Sequence, residues 1–189
     1  MSDTNPRDTV HWYPMYVTYR RELTVKAALD KKHVECYVPM HLVYERHNRS
    51  VVSRLEPAVH NLIFVHSSMS LLSQLKMYDE DCQHMQYMSF RSTITSKSST
   101  VITVPTARME AFMKAMAVPD PNQRRTLLPY DEMLFGKEGR RIRFKCGDFE
   151  GVEGTVKRVN KNRSLVITLQ YVGVLVIAID HADDIEFLD

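Results

Sequence analysis

The side chains in this sequence best suited to nucleophilic or metal chemistry are three cysteines, Cys36, Cys82 and Cys146, and eight histidines. The cysteines are an odd, scattered set without Cys-x-x-Cys spacing, which is the pattern of reduced thiols rather than of a disulfide framework or a zinc site. Cys82 with His84 supplies at most a pair of local metal ligands. No H-E-x-x-H, G-x-S-x-G or kinase signature occurs, and any Cys-His couple would have to be assembled by the fold. Acyl transfer and metal-assisted hydrolysis therefore have no support in the sequence. A binding protein, not an enzyme, is expected, with no cofactor and no metal.

The most specific local string is Lys145-Cys-Gly-Asp-Phe-Glu-Gly-Val-Glu-Gly154. Gly147-Asp148 suits a tight turn, Gly151 a second bend, and Gly154 a close approach of strands. The spacing is not that of a phosphate loop, and a strand follows, so no helix N-terminus is available to hold pyrophosphate. Phe149, set between glycines, reads either as an exposed contact residue or as an interior plug. Around it the charge is uneven: residues 137–163 hold nine basic and four acidic residues, whereas 164–189 hold no Lys or Arg and five acids. A domain folded from these halves has either a polarised surface or a solvated mixture of charge. The net charge of +2 is too small to predict nucleic-acid binding.

Composition divides the elements that would carry these residues. All six glycines of the 189-residue chain lie from Gly136 to Gly173, and all eleven methionines from Met1 to Met133. A Met-rich piece of about 135 residues and a glycine-punctuated piece of about 54 are implied, the second too small for much of a core. In the first piece, 11–19 reads as a strand and 22–32 as a helix with Val25, Ala28, Leu29 and Lys32 on one face. Residues 35–44 read as a strand, 45–53 as a hairpin tip, and 59–66 as the buried returning strand. Ser67-Ser68 offers an N-cap to a helix presenting Leu71, Leu75 and Tyr78. Residues 83–91 and 101–104 are extended, and Pro105-Thr106 opens a helix with Met109, Phe112, Met113 and Met116 in register. The order β-α-β-β-α-β plus a helix is that of an α+β, ferredoxin-like (split βαβ) domain. Pro119, Pro121 and Pro129 mark a linker. Five short strands after it, near 140–145, 154–159, 164–171, 174–179 and 185–188, predict a small closed β-barrel. The polar start and a longest apolar run of eight residues, Val172 to Ile179, predict a soluble cytoplasmic protein without membrane association.

His11-Trp12-Tyr13 opening a strand, Glu22 starting a helix, Tyr37-Val38-Pro39, the core strand Pro57-Ala-Val-His-Asn-Leu-Ile-Phe-Val65, and Gly147-Asp-Phe-Glu-Gly-Val-Glu-Gly154 followed by Val-Lys-Arg-Val together resemble the NusG family. The resemblance covers about 10 to 189 and implies an NGN domain at 10–117, a linker at 118–136 and an SH3-like KOW barrel at 137–189. His60-Asn61-Leu62 stands where NusG and RfaH usually show Pro-Gly/Asn-Tyr. The string 57–65 is instead similar to the UpxY antiterminators of Bacteroidetes, which act on capsular or exopolysaccharide operons.

The resemblance implies a monomeric transcription elongation and antitermination factor whose NGN domain docks on the clamp helices of the largest RNA polymerase subunit. By motif position Tyr16, Leu62 and Phe64 are the candidate polymerase contacts, with ordinary sheet core as the alternative. Arg20 and Arg21 are the candidate contacts to non-template DNA, with a solvated helix start as the alternative. The KOW turn carrying Phe149 would meet a ribosomal protein or Rho, although Asp148 replaces the usual Pro. The competing reading is a ribosome- or RNA-associated KOW protein using the basic 137–163 segment.

Overall fold

A computed structural model describes residues 6–47, 50–91, 99–120, 123–130, 139–180 and 183–188. The expected passage from linker to barrel at 133–136 lies outside the described residues, as do the polar start through Asn5 and most of the Ser/Thr-rich loop at 92–98. By packing, the chain divides into two units, Met1–Pro105 and Thr106–Asp189.

The first unit runs β1 (Val10–Val17), α1 (Glu22–Lys31), β2 (Cys36–Tyr37), β3 (Met40–His47), β4 (Ser50–Pro57), β5 (Leu62–Ser68), α2 (Met69–Tyr78), β6 (Met85–Tyr87), β7 (Ser89–Arg91) and β8 (Ser99–Val101). Its main sheet has the order β2-β5-β1-β6, antiparallel throughout. Helix α1 leads from β1 to β2 with β5 between them, and α2 leads from β5 to β6 with β1 between them, so the two β-α-β crossovers interleave. The alternate residues Tyr13, Met15 and Val17 of β1 and Ile63 and Val65 of β5 form one core with Val25, Ala28 and Leu29 of α1 and Leu72 of α2. That is the period of two of a strand meeting the i, i+3, i+4 stripe of a helix.

Two local expectations change. Ser68 is the N-cap of α2, its hydroxyl accepting the Leu71 N–H at 3.2 Å. The buried stripe of that helix is Leu72 with Met69 and Leu75, while Leu71 and Tyr78 face solvent. The expected tip at 45–53 is instead an eight-residue ladder between β3 and β4, registered from Met40 opposite Pro57 to His47 opposite Ser50. Leu42 and Val43 are adjacent, and Leu42, Tyr44, Val52 and Leu55 are all exposed, as suits a two-stranded arm wetted on both faces.

The second unit comprises α3 (Thr106–Ala117), β9 (Arg125–Leu128), β10 (Arg141–Phe144), β11 (Glu153–Val159), β12 (Asn162–Leu169), β13 (Gly173–Ala178) and β14 (Ile185–Phe187). Its sheet order is β14-β10-β11-β12-β13-β9. Strand β9 lies in the segment read as linker. It pairs with β13, Leu127 opposite Leu175 and Leu128 opposite Val174. Helix α3, read with the N-terminal piece, lies here against β12. Arg125 ties its end down by donating to the carbonyls of Ala115 (2.5 Å) and Val118 (2.8 Å).

In the first unit, Asp79 locks the end of α2 to the end of α1. Its carboxylate accepts the N–H groups of Asp81 (3.1 Å) and Cys82 (2.9 Å) and pairs with Lys32 Nζ at 2.9 Å. The Lys32 hydrogen bond, then that of the Cys82 N–H, lowers its pKa to about 2. A depressed carboxylate stabilises the fold above its unfolded value of about 3.9 and loses that contribution as pH falls through the folded value. We expect Asp79→Asn to cost about 1 kcal/mol at neutral pH, with the deficit against wild type shrinking as pH drops from about 4 towards about 2 in urea melts.

Candidate functional site

The register of β1 on β5 decides where the candidate contacts lie. Tyr16 is directly opposite Leu62, and Pro14 is opposite Phe64. Residues two apart share a face, so Tyr16, Leu62 and Phe64 occupy one face of the sheet, opposite the face that packs on α1 and α2. Trp12 and His66 continue this face, their rings stacked at 4.8 Å between centroids. Exposure is graded along it. Phe64 is 0% exposed, Leu62 8% and Tyr16 45%. In this conformation Tyr16, at the end of β1, presents a large surface, whereas Phe64 is an interior residue and Leu62 nearly so.

Beyond Tyr16 the chain turns sharply into α1. Tyr19 (φ 60°, ψ 28°) and Arg20 (φ 54°) are consecutive left-handed residues, a conformation costing about 1 kcal/mol or more for each non-glycine side chain. Asn61 holds the bend at both ends. Its carbonyl accepts the Val17 N–H at 2.8 Å, and its side-chain Oδ1 accepts the Arg20 N–H at 2.9 Å. Asn61 is itself left-handed (φ 63°), a conformation that Asn tolerates better than most residues.

His84 braces the other side of the bend. Arg21 Nη1 donates to His84 Nε2 at 2.9 Å, and because a guanidinium only donates, the ring proton belongs on Nδ1, facing Thr18 Oγ1 at 3.3 Å. The Tyr19 ring meets the His84 ring edge to face at 6.2 Å. Arg20 and Arg21 are both exposed. Beneath them Glu22, 2% exposed, begins α1 with Oε1 3.4 Å from His60 Nδ1 and Oε2 without a hydrogen-bond partner among the described residues. Asn61, His84 and Tyr19 escaped sequence reading because their partners lie 41 to 66 positions away. Only the Tyr-Arg-Arg run was available as a signal.

In the second unit the turn 147–151 has the expected glycine chemistry, and of the two readings of Phe149 the interior one holds in place of the exposed contact. Gly147 (φ 89°) and Gly151 (φ 72°) fold the turn back, with the Gly151 N–H on the Phe144 carbonyl at 2.7 Å. This directs the Phe149 ring inward. It is 0% exposed, lies 6.0 Å from the Phe144 ring, and is covered by the Arg124 guanidinium at 5.3 Å. Arg124 is ion-paired to buried Asp183. Phe149 therefore fills the interior, and the exposed side chains of this turn are Cys146, Asp148 and Glu150.

Three cations of the basic stretch, Arg141, Arg143 and Lys145, are ion-paired within the sheet. Arg141 and Arg143 pair with Glu153 at 3.1 and 2.5 Å, Arg143 also with Glu186 at 3.6 Å, and Lys145 with Asp184 at 3.4 Å. Burial pushes the Cys36 thiol up to about 11 and Cys82 up to about 12, away from thiolate reactivity. Among the described residues no group of three or more His, Cys, Asp or Glu is placed to hold a metal ion, and no helix is long and apolar enough to cross a membrane.

The Asn61 clamp makes a separable prediction. Asn61→Ala loses the Oδ1 acceptor and sets a β-carbon in a left-handed residue without compensation, and should cost about 2 kcal/mol in denaturant unfolding. Asn61→Gly keeps the backbone free and should cost about 1 kcal/mol.

No curated protein matches the chain. The family model described as transcription termination factor nusG matches residues 10–113, which takes in the whole β1–β5 face, the bend and both α1 and α2. Members of that family are transcription factors that interact with RNA polymerase. With more than half of its length matched, this chain belongs to the NusG family.

Proposed function

We propose that the protein is a specialised antitermination factor that binds the clamp helices of the largest RNA polymerase subunit through the β1–β5 face and promotes readthrough of long operons. The observation carrying this reading is the register that gathers Tyr16, Leu62 and Phe64 on one face. Tyr16 is the exposed anchor of the docking surface, and Leu62 and Phe64 are the apolar floor that fixes its ring. A few aromatic anchors supply most of the affinity of such interfaces. Arg20 and Arg21, held at the end of the same strand, meet the non-template DNA strand. The interleaved order β2-β5-β1-β6 supports a ferredoxin-like NGN domain. The pairing of β14 with β10 beside the run β10 to β13 supports a five-stranded KOW barrel.

The similarity of Pro57–Val65 to the UpxY antiterminators supports a capsular or exopolysaccharide operon as the target. Asn61 at φ 63° accounts for the Gly or Asn usual at that position in the family. The KOW unit offers its 147–151 turn to a ribosomal protein or to Rho through the turn's backbone, Asp148 and Glu150, with Phe149 as interior support.

A pull-down with core RNA polymerase and with a clamp-helix fragment tests the reading. Capture of both is expected, and a folded protein that captures neither overturns it. Tyr16→Ala should weaken capture about ten-fold with an unchanged melting temperature. Phe64→Ala should instead lose about 3–5 kcal/mol of stability. Deleting the gene should lower distal transcripts of its own long operon selectively.

A further inference from the structure

The hairpin joining β11 to β12 is a charged end that neither the β1–β5 face nor the 147–151 turn uses. From Gly154 to Ile179 the sequence holds no Asp or Glu, while Lys157, Arg158, Lys161 and Arg163 cluster around the turn. Register sets Arg158 directly opposite Arg163, which leaves about 5 Å between their β-carbons. Like charges so placed repel. Arg158, Lys161 and Arg163 are exposed, and among the described residues none of the three has an ion pair, whereas Arg141, Arg143 and Lys145 each have a carboxylate.

The turn adds a second cost at the same place. Asn160 (φ 50°) and Lys161 (φ 69°) are consecutive left-handed residues between Val159 and Asn162, the geometry of a two-residue hairpin loop that favours Asn-Gly. A lysine therefore stands where glycine would be free of strain. The repelling rung and the strained lysine both put cations at one end of the sheet. A bound polyanion offsets the repulsion and gives the lysine a partner.

The form of the hairpin specifies the polyanion. The ladder of β10 on β11 ends at Thr155 and that of β13 on β12 at Ser164, each followed by a single main-chain bond, so the turn and its arginine rung are the free end of a two-stranded ribbon. The major groove of B-form DNA, about 12 Å wide, admits such a ribbon and sets it between two rows of phosphates. The major groove of an A-form RNA helix is too narrow for it. Residues 157–163 include no aromatic side chain, so the ribbon has no stacking surface for unpaired bases.

We propose that the β11–β12 hairpin binds the phosphate backbone of duplex DNA through Arg158, Lys161 and Arg163, independently of base sequence. Arginine meets phosphate oxygens in pairs and lysine as a point charge. The site goes beyond clamp docking and shares no residue with it.

The test is fluorescence anisotropy of the full chain with short labelled DNA duplexes of two unrelated sequences, with an RNA duplex and a DNA single strand, and with poly-glutamate as competitor. Arg158→Thr and Arg163→Thr should each weaken duplex binding about five-fold and reduce the slope of log affinity against log salt by about 0.9. Lys161→Gly should do the same while raising the melting temperature, because it removes strain together with charge. A merely structural role would instead tie lost binding to lost stability. Capture of RNA polymerase should be unchanged in all three variants.

Wild-type affinity and salt slope in all three variants overturn the proposal. So does tighter binding of the RNA duplex or of the single strand. Displacement of the DNA by poly-glutamate at lower charge concentration than by unlabelled duplex also overturns it, and assigns the hairpin to an acidic protein segment. A wild-type protein that captures polymerase and binds no duplex overturns the hairpin site and leaves clamp docking intact. One that binds duplex through these residues and captures no polymerase does the reverse.

Discussion

The exposed end of β1 depends on one residue of another strand's approach. Asn61 places its main-chain carbonyl on the last residue of β1 and its side-chain oxygen on a residue past the bend, so a single residue holds both the end of the strand and the approach to the helix. Without that double acceptor, two successive left-handed residues would relax toward ordinary extended or helical backbone. The position of Tyr16 opposite Leu62, the outward projection of Tyr19 and the start of α1 with its buried glutamate all follow from it. The cost of the strained backbone is offset locally, in hydrogen bonds, and not by the hydrophobic core on the other side of the sheet.

Much of this architecture was legible in the sequence wherever periodicity and burial agree. Val25, Ala28 and Leu29 predict α1 and its buried face, and Ser68 predicts the start of α2. The buried face of α2 was displaced by one position because Leu71 and Leu72 are equally apolar, and periodicity alone does not rank adjacent leucines. The arm β3–β4 was legible only in part, since a two-stranded ladder wetted on both faces has no single apolar side to alternate against. Strand β9, Arg-Thr-Leu-Leu between prolines, has little propensity of its own. Its extended form comes from pairing with β13, some fifty residues on.

The candidate site shows the same division. Motif position found Tyr16, Leu62 and Phe64, but only register could place them on a common face, and only packing could separate the exposed member from the two beneath it. Phe149 shows the limit from the other side. A large aromatic among glycines reads equally as bait or as ballast, and the sign of φ at Gly147 and Gly151 decides which way the ring turns. The charge run 137–163 reads as basic along the chain, yet antiparallel pairing sets Glu153 opposite Arg143 and Glu186 opposite Arg143 on the other side. The pairing that builds the sheet also offsets the charge of Arg141 and Arg143.

Strand β9 bears on where this protein can be cut. It occupies the open side of β13, and Arg124, immediately before it, roofs Phe149 and pairs with Asp183. A fragment begun at residue 137, where glycine content alone would place the border, would bare a row of unsatisfied main-chain donors and acceptors along Gly173–Ala178 and unroof an aromatic core. Such an edge is a template for self-association. The C-terminal unit accordingly takes in Asp120, whose carboxylate accepts the N–H groups of Arg124 and Arg125 and so starts the strand that seals it.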